Sequence, residues 1–148
     1  SGDRLPFGDL VFDVLSPALV NPESINNNSV VLRLTAGRVV FLFTGDSDQL
    51  EERRLLEAGL AEPVDVLKVG HHGGDTSSNP AYIAAISPDV AVYSVGAGNE
   101  YQFPHAVVLD ALRGAGALIY GTDRNGTIVV RTDGTTYEVL TERGGPRE

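Results

Sequence analysis

Apolar residues come in short bursts separated by glycine, proline and polar clusters. Residues 11–15, 30–34 and 39–43 are β-branched or aromatic-rich runs of strand length, and Ala36-Gly37 between the last two offers a hairpin turn. The front third therefore reads as strands. Asp48 stands three residues before Glu51 in capping-box spacing, and residues 49–58 are rich in helix formers up to Gly59, which predicts a first helix. Residues 64–69, bounded by Pro63 and Gly70, have the length and composition of a buried strand. Asn79-Pro80 then supplies an N-cap and a first-position proline for a short helix running through Tyr82 to Ile86. Residues 90–95 form another buried-strand run, ended by Gly96-Ala97-Gly98-Asn99, and Val107, Val108, Ala111 and Leu112 recur at helical spacing. Residues 118–121 and 127–131 read as two last strands, joined by Asn125-Gly126 as a type I′ hairpin turn, with a polar tail fraying from Thr141.

The middle of this pattern alternates strand and helix three times, which predicts parallel pairing through crossovers, while the flanking hairpins make the sheet mixed. The expected class is α/β, a mixed sheet with helices. In such sheets, sites form at the carboxyl ends of the strands. The polar clusters fall there: Thr44-Gly45-Asp46, residues 70–75 and residues 96–105.

Composition narrows the chemistry. The 148 residues fit a single domain, with a core over about 5–140 and a polar tail over 141–148. Twenty acidic residues against 11 basic ones give a net charge of -9, which opposes a broad grip on duplex DNA. With no cysteine, a metal would be held by His, Asp, Glu or water. No apolar run approaches the ~18 residues of a membrane span, and the first residues lack signal-peptide features, so the expectation is a soluble chain.

Asp46 and His71 lie one helix crossover apart and can converge, and a carboxylate beside an imidazole suits zinc, manganese or iron. Asp46 can equally serve as an acid favoured by a helix dipole. His71 and His72, neighbours on an extended backbone, are expected to point to opposite faces, one as a ligand and the other as a supporting contact. Thr76, Ser77 and Ser78, with the amides of Gly73 and Gly74, can hold an anionic oxygen or act only as turn and cap residues. Asn99 and His105 complete the candidate substrate contacts, His105 being equally placed to cap the third helix. Lys68, the sole lysine, reads as a snorkelling side chain at the core edge, and Asn26-Asn27-Asn28-Ser29 as a turn.

Five ordered segments, NNNSVVLRL, FLFTGD, DVLKVGHHGGDTSS, YSVGAGNEYQFPH and YGTDRNGTI, together resemble the metallo-β-lactamase-like domain of ComEC-type DNA-internalisation competence proteins. The resemblance covers residues 5–131 and implies half of an αββα sandwich. It further implies a hydrolase, a nuclease or phosphodiesterase, in which two zinc or manganese ions activate water against single-stranded or incoming DNA. Asp46 matches the family's metal-bridging aspartate, and one of His71/His72 its late histidine ligand. The parent would be a membrane-anchored bacterial protein with this domain on the extracytoplasmic face. The family's His-x-His-x-Asp-His cluster is missing here, so the chain is expected to be the carboxyl-terminal half, inactive until the amino-terminal half joins it. Gly74 stands where the family usually shows Ser, and Phe103 where a histidine often precedes Pro-His. A bare sheet face is expected to drive a homodimer of the isolated chain. The rival expectation is a non-catalytic scaffolding or binding domain with a degenerate metal site.

Overall fold

Seven strands pair in the order in which the chain makes them. In the computed structural model, which describes residues 1–20, 22 and 24–147, β1 (Arg4–Phe7), β2 (Leu10–Ser16), β3 (Val31–Ala36) and β4 (Val39–Phe43) form an antiparallel meander. The strands β5 (Val66–Lys68), β6 (Val90–Tyr93) and β7 (Leu118–Gly121) extend it in parallel with β4. Three helices make the crossovers: α1 (Gln49–Glu57), α2 (Pro80–Ile86) and α3 (Ala106–Gly114). A helical turn, α4 (Thr122–Asn125), leads from β7 into a separate hairpin of β8 (Ile128–Thr132) and β9 (Tyr137–Thr141). The fold is mixed α/β.

Strand register decides what each face carries. Leu42, Leu67, Ala91 and Ile119 sit side by side across β4 to β7 and pack against Leu55, Tyr82, Ile83, Ile86, Val108 and Leu112 of the helices. The helices thus share one face. On the opposite face Val66, Val90 and Tyr120 are covered by Ile128, Val130, Tyr137 and Val139 of the hairpin, whose tip accepts the Arg38 amide at Gly134 O, 2.7 Å. Gly37 makes that approach possible, because a Cβ there would sit 2.2 Å from Gly134 O. The rest of this face stays open, with Phe12, Phe41 and Phe43 in a cluster at ring distances of 6.3 and 6.4 Å. Val40 and Leu42 belong to the helix side, so a second copy seated on the open face would meet Phe41 and Phe43 instead.

The helix ends follow their local signals. Asp48 accepts from the Leu50 amide and Asn79 from the Ala81 amide, each cap contributing ~1 kcal/mol. Glu51 does not close a capping box. It is buried and accepts instead from Ser16 Oγ at 2.7 Å, tying α1 to β2. The expected Asn125-Gly126 hairpin does not form: β7 pairs with β6, and β8 with β9. Asn125 is buried, and its side chain accepts from Gly121 N and donates to Arg143 O and Gly145 O, so a long-range clamp displaces the local turn. By the same contacts residues 143–147 fold back, with Arg147 bridging to Ile119 at the sheet edge; a frayed tail is not what these residues form, and Glu148 lies outside the described residues. Among the described residues no helix is long and apolar enough to cross a membrane.

Candidate functional site

The parallel strands β4, β5 and β6 release their chains at one edge, and the three polar clusters meet there around an open cavity of about 520 Å³. Asp46, His71, His72, Ser94, Val95, Gly96, Tyr101 and Phe103 line it. Asp46 follows β4 in a turn fixed by neighbours. Thr44 Oγ1 donates to Lys68 O at 3.0 Å, Asp46 N donates to Ser29 Oγ at 3.2 Å, and His71 N donates to Gly45 O at 3.0 Å. Ser29 ends the asparagine turn Asn26–Asn28, which therefore props the aspartate from below.

The histidines are not extended. His71 (φ 46°, ψ 43°) and His72 (φ 56°, ψ 14°) both occupy the left-handed region, where a residue with a Cβ costs roughly 1–2 kcal/mol. Two adjacent side chains held there lean toward the same cavity rather than to opposite faces. Such local strain persists only where its surroundings enforce it, and it concentrates at functional sites. Ser77 enforces it here. Its buried hydroxyl lies 3.0 Å from Gly70 O and 3.1 Å from Gly74 O, closing the turn from both ends. Gly73 and Gly74 admit the loop after β6, since a Cβ on Gly73 would meet Pro104 at 2.6 Å and one on Gly74 would meet the Phe103 ring at 3.0 Å.

Hydrogen bonding defines the state of His72. Its Nδ1 lies 2.8 Å from Ser94 O. A carbonyl only accepts, so Nδ1 carries a proton and Nε2 lies 3.8 Å from Asp46 Oδ1. The two atoms are reconciled by a proton on Nε2 or by a cation between them, and bonds of 2.0–2.2 Å from both to one metal ion fit the gap. His71 Nδ1 meets Thr76 Oγ1 at 2.8 Å, a partner that can donate or accept. Lys68 Nζ donates to Val69 O, and burial pulls its pKa down while the Asp46 carboxylate opposes that shift. The donor set fits a share of a metal centre and not a whole one: among the described residues no three His, Asp or Glu side chains are placed to hold an ion.

The other candidates have different places. Thr76 touches His71, as above. Ser77 and Ser78 are buried under the loop; Ser78 and Asn79 donate their amides to Glu52 at 2.6 and 2.8 Å. Asn99 staples its own loop, accepting from Phe103 N and donating to Phe103 O. His105 stands at the N-cap of α3 without capping it; its Nδ1 accepts from Asp75 N at 3.1 Å and it does not line the cavity. Tyr101 and Phe103 do, stacked at 5.5 Å with Phe103 edge-on to His71 at 5.7 Å. Two aromatics within six residues of a polar loop were the available signal for them.

Comparison with known proteins agrees with one region only of longer polypeptides. The chain is 39% identical over 88% of its length to ComE operon protein 3 of Bacillus subtilis, 34% over 82% to Recombination protein 2 of Haemophilus influenzae, and 36% over 79% to competence protein ComA of Neisseria gonorrhoeae. It spans 17%, 15% and 17% of those proteins respectively. No protein-family model matches it. On the strength of these similarities, the chain is a homologue of one segment of proteins named for competence and recombination.

Proposed function

We propose that this chain supplies part of a metal-dependent phosphodiester hydrolase acting in DNA uptake, with Asp46 and His72 as its share of the metal ligands. The competence names of the relatives support the setting. The observation that carries the chemistry is His72 Nε2 held 3.8 Å from Asp46 Oδ1, with Ser94 O fixing the ring through Nδ1. A metal bound there would polarise a phosphoryl oxygen and lower the pKa of its water. Thr76 orients His71 beside it, and Tyr101 and Phe103 form an apolar wall on which a base can stack. The remaining ligands would come from the rest of the parent protein, of which relatives have some five-sixths outside this segment, along with any membrane anchor.

Calorimetric titration with manganese or zinc is the first test. The chain alone is expected to bind weakly, and Asp46→Ala or His72→Ala to weaken it further. Tight binding of two ions, or binding indifferent to both variants, would sink the ligand assignment. In the full-length parent the same substitutions are expected to lower hydrolysis at least about 100-fold, since loss of a group that merely supports a ligand costs 10–100-fold. Unchanged hydrolysis would point to the scaffolding role instead.

The open face around Phe12, Phe41 and Phe43 is where the other half of the domain would pack. Apolar surface left bare contributes about 25 cal/mol per Å² when covered, which favours pairing of the isolated chain with a second copy. Light scattering over a dilution series is expected to show a dimer that Phe41→Asp dissociates and a charge at an exposed α1 position does not. A monomer at all concentrations would reject the homodimer.

A further inference from the structure

Six of the ten arginines are held in ion pairs with Asp or Glu. Among the described residues Arg38, Arg53, Arg124 and Arg143 have no carboxylate within ion-pairing distance. Two of these four face one cavity. It has a volume of about 380 Å³, and Arg124, Asn125, Arg143, Gly144, Gly145, Pro146 and Arg147 line it, with no acid among the described lining residues. Three arginines thus line one cavity in a chain of net charge -9.

The convergence is built in. Buried Asn125 holds the returning tail through Arg143 O at 2.9 Å and Gly145 O at 2.8 Å, and the Arg143 amide donates back to Asn125 O at 3.0 Å. Arg147 is fixed by its amide to Ile119 O and by Nη1 to Tyr93 OH, each at 2.6 Å. Asp123 pairs with Arg147, and the Glu142 carboxylate accepts from Thr127 N and Oγ1 while lying close enough to Arg143 to feel its charge. Asp123 and Glu142 offset part of the charge of Arg147 and Arg143, and Arg124 has no ion-pair partner among the described residues, which leaves net positive charge along the lining for an anion. Arginine forks match phosphate oxygens in pairs.

The cavity is also tied to the candidate site through the chain after β6. Tyr93 holds Arg147, Ser94 O holds His72, and Val95 exchanges hydrogen bonds with Thr122, the residue that opens α4. Three consecutive residues at the end of β6 link the two places. We propose that Arg124 and Arg143, supported by Arg147, bind phosphate oxygens of a nucleic-acid strand passing the Asp46–His72 site. The assignment of the ligand as nucleic acid rests on the function proposed above.

Fluorescence anisotropy of a labelled single-stranded oligothymidylate with the whole chain tests this. Binding is expected to be weak, with log K falling against log salt at a slope of about -1.4, the value for two phosphate contacts on a single strand. Arg124→Ala/Arg143→Ala is expected to lose about tenfold in affinity at low salt and to flatten the slope, given that six to ten contacts carry 10³–10⁵. Arg124→Lys/Arg143→Lys should recover part of it. The charge-matched Arg53→Ala/Arg113→Ala should change little, and binding measured with the metal chelated by EDTA should still fall in Arg124→Ala/Arg143→Ala, which separates this site from the hydrolytic reading. Equal losses in both arginine double variants, or no measurable binding by the unaltered chain, would overturn the proposal. Inorganic phosphate shifting the arginine Nε resonances at concentrations where the oligothymidylate does not would reassign the cavity to a small anion.

Discussion

Replacing Gly121 by alanine is expected to destabilise the protein by about 3 kcal/mol, the upper part of the range for overpacking a core. The reason is steric and not conformational. Gly121 has φ -138° and ψ 138°, extended values that any residue adopts. A Cβ there would stand 1.9 Å from Tyr93 Cζ and 2.2 Å from its hydroxyl oxygen. The ring is fully buried and anchored by Arg147, so it has nowhere to turn. The melting temperature should fall by roughly 6–12 °C for a domain of this size. A double-mutant cycle isolates the contact: the Tyr93→Leu/Gly121→Ala double variant should lose much less than the two single losses added together. Additive losses would mean that the ring is not what the methyl group meets.

Stability is also expected to decline as pH rises toward neutrality, through Glu52. Its carboxylate is buried between α1 and the start of α2, where desolvation lifts its pKa to about 7 against the two amides of Asn79 and Ser78, with Asp48 adding to the rise. The folded protein therefore holds this proton more tightly than the unfolded chain, with an ordinary pKa of 4.5, does. By linkage the associated stability is complete below about 4.5 and is lost as pH climbs through about 7, amounting to about 3–4 kcal/mol at ~1.4 kcal/mol per unit. Thermal melts between pH 5 and pH 8 should show a falling midpoint, and Glu52→Gln should flatten the fall. A profile that rises over this range, or an identical decline in the variant, would count against Glu52 as the cause. Because Glu52 grips Ser78 and Asn79, the group that titrates also anchors the far end of the histidine loop.

Local chemistry made much of this legible from sequence. The strands at Val39–Phe43 and Leu118–Gly121, and the Asn79-Pro80 helix start, depend on neighbours within a few residues, and they stand where the pattern puts them. The errors arise where distant residues outvote local ones. Asn125-Gly126 has the composition of a hairpin turn, but Asn125 is captured by carbonyls 18 and 20 residues further on. The sequence pattern omits the strand at Tyr137–Thr141, which is only five residues long and exposes every second side chain, Glu138 and Leu140. At the site, Asp46 and the histidines were identifiable by residue type and strand-end position. Their conformation was not, because the left-handed turn is imposed by Ser77 from inside and by Phe103-Pro104 from across the cavity. The two departures from the family pattern, Gly74 and Phe103, turn out to touch: the aromatic ring fills the room that a side chain on residue 74 would need.

Strand order along the sheet bears on how the protein reaches this state. From β1 to β7 every strand lies beside its predecessor in the chain, and no pairing has to close a loop longer than one hairpin or one helix crossover. Loop-closure entropy grows with the length closed, so each step of assembly forfeits little chain freedom, and no late strand must thread between two that are already joined. The sheet can grow in the direction of synthesis, each new strand finding its partner as the most recent one made, with the hairpin and tail settling last on a surface already formed.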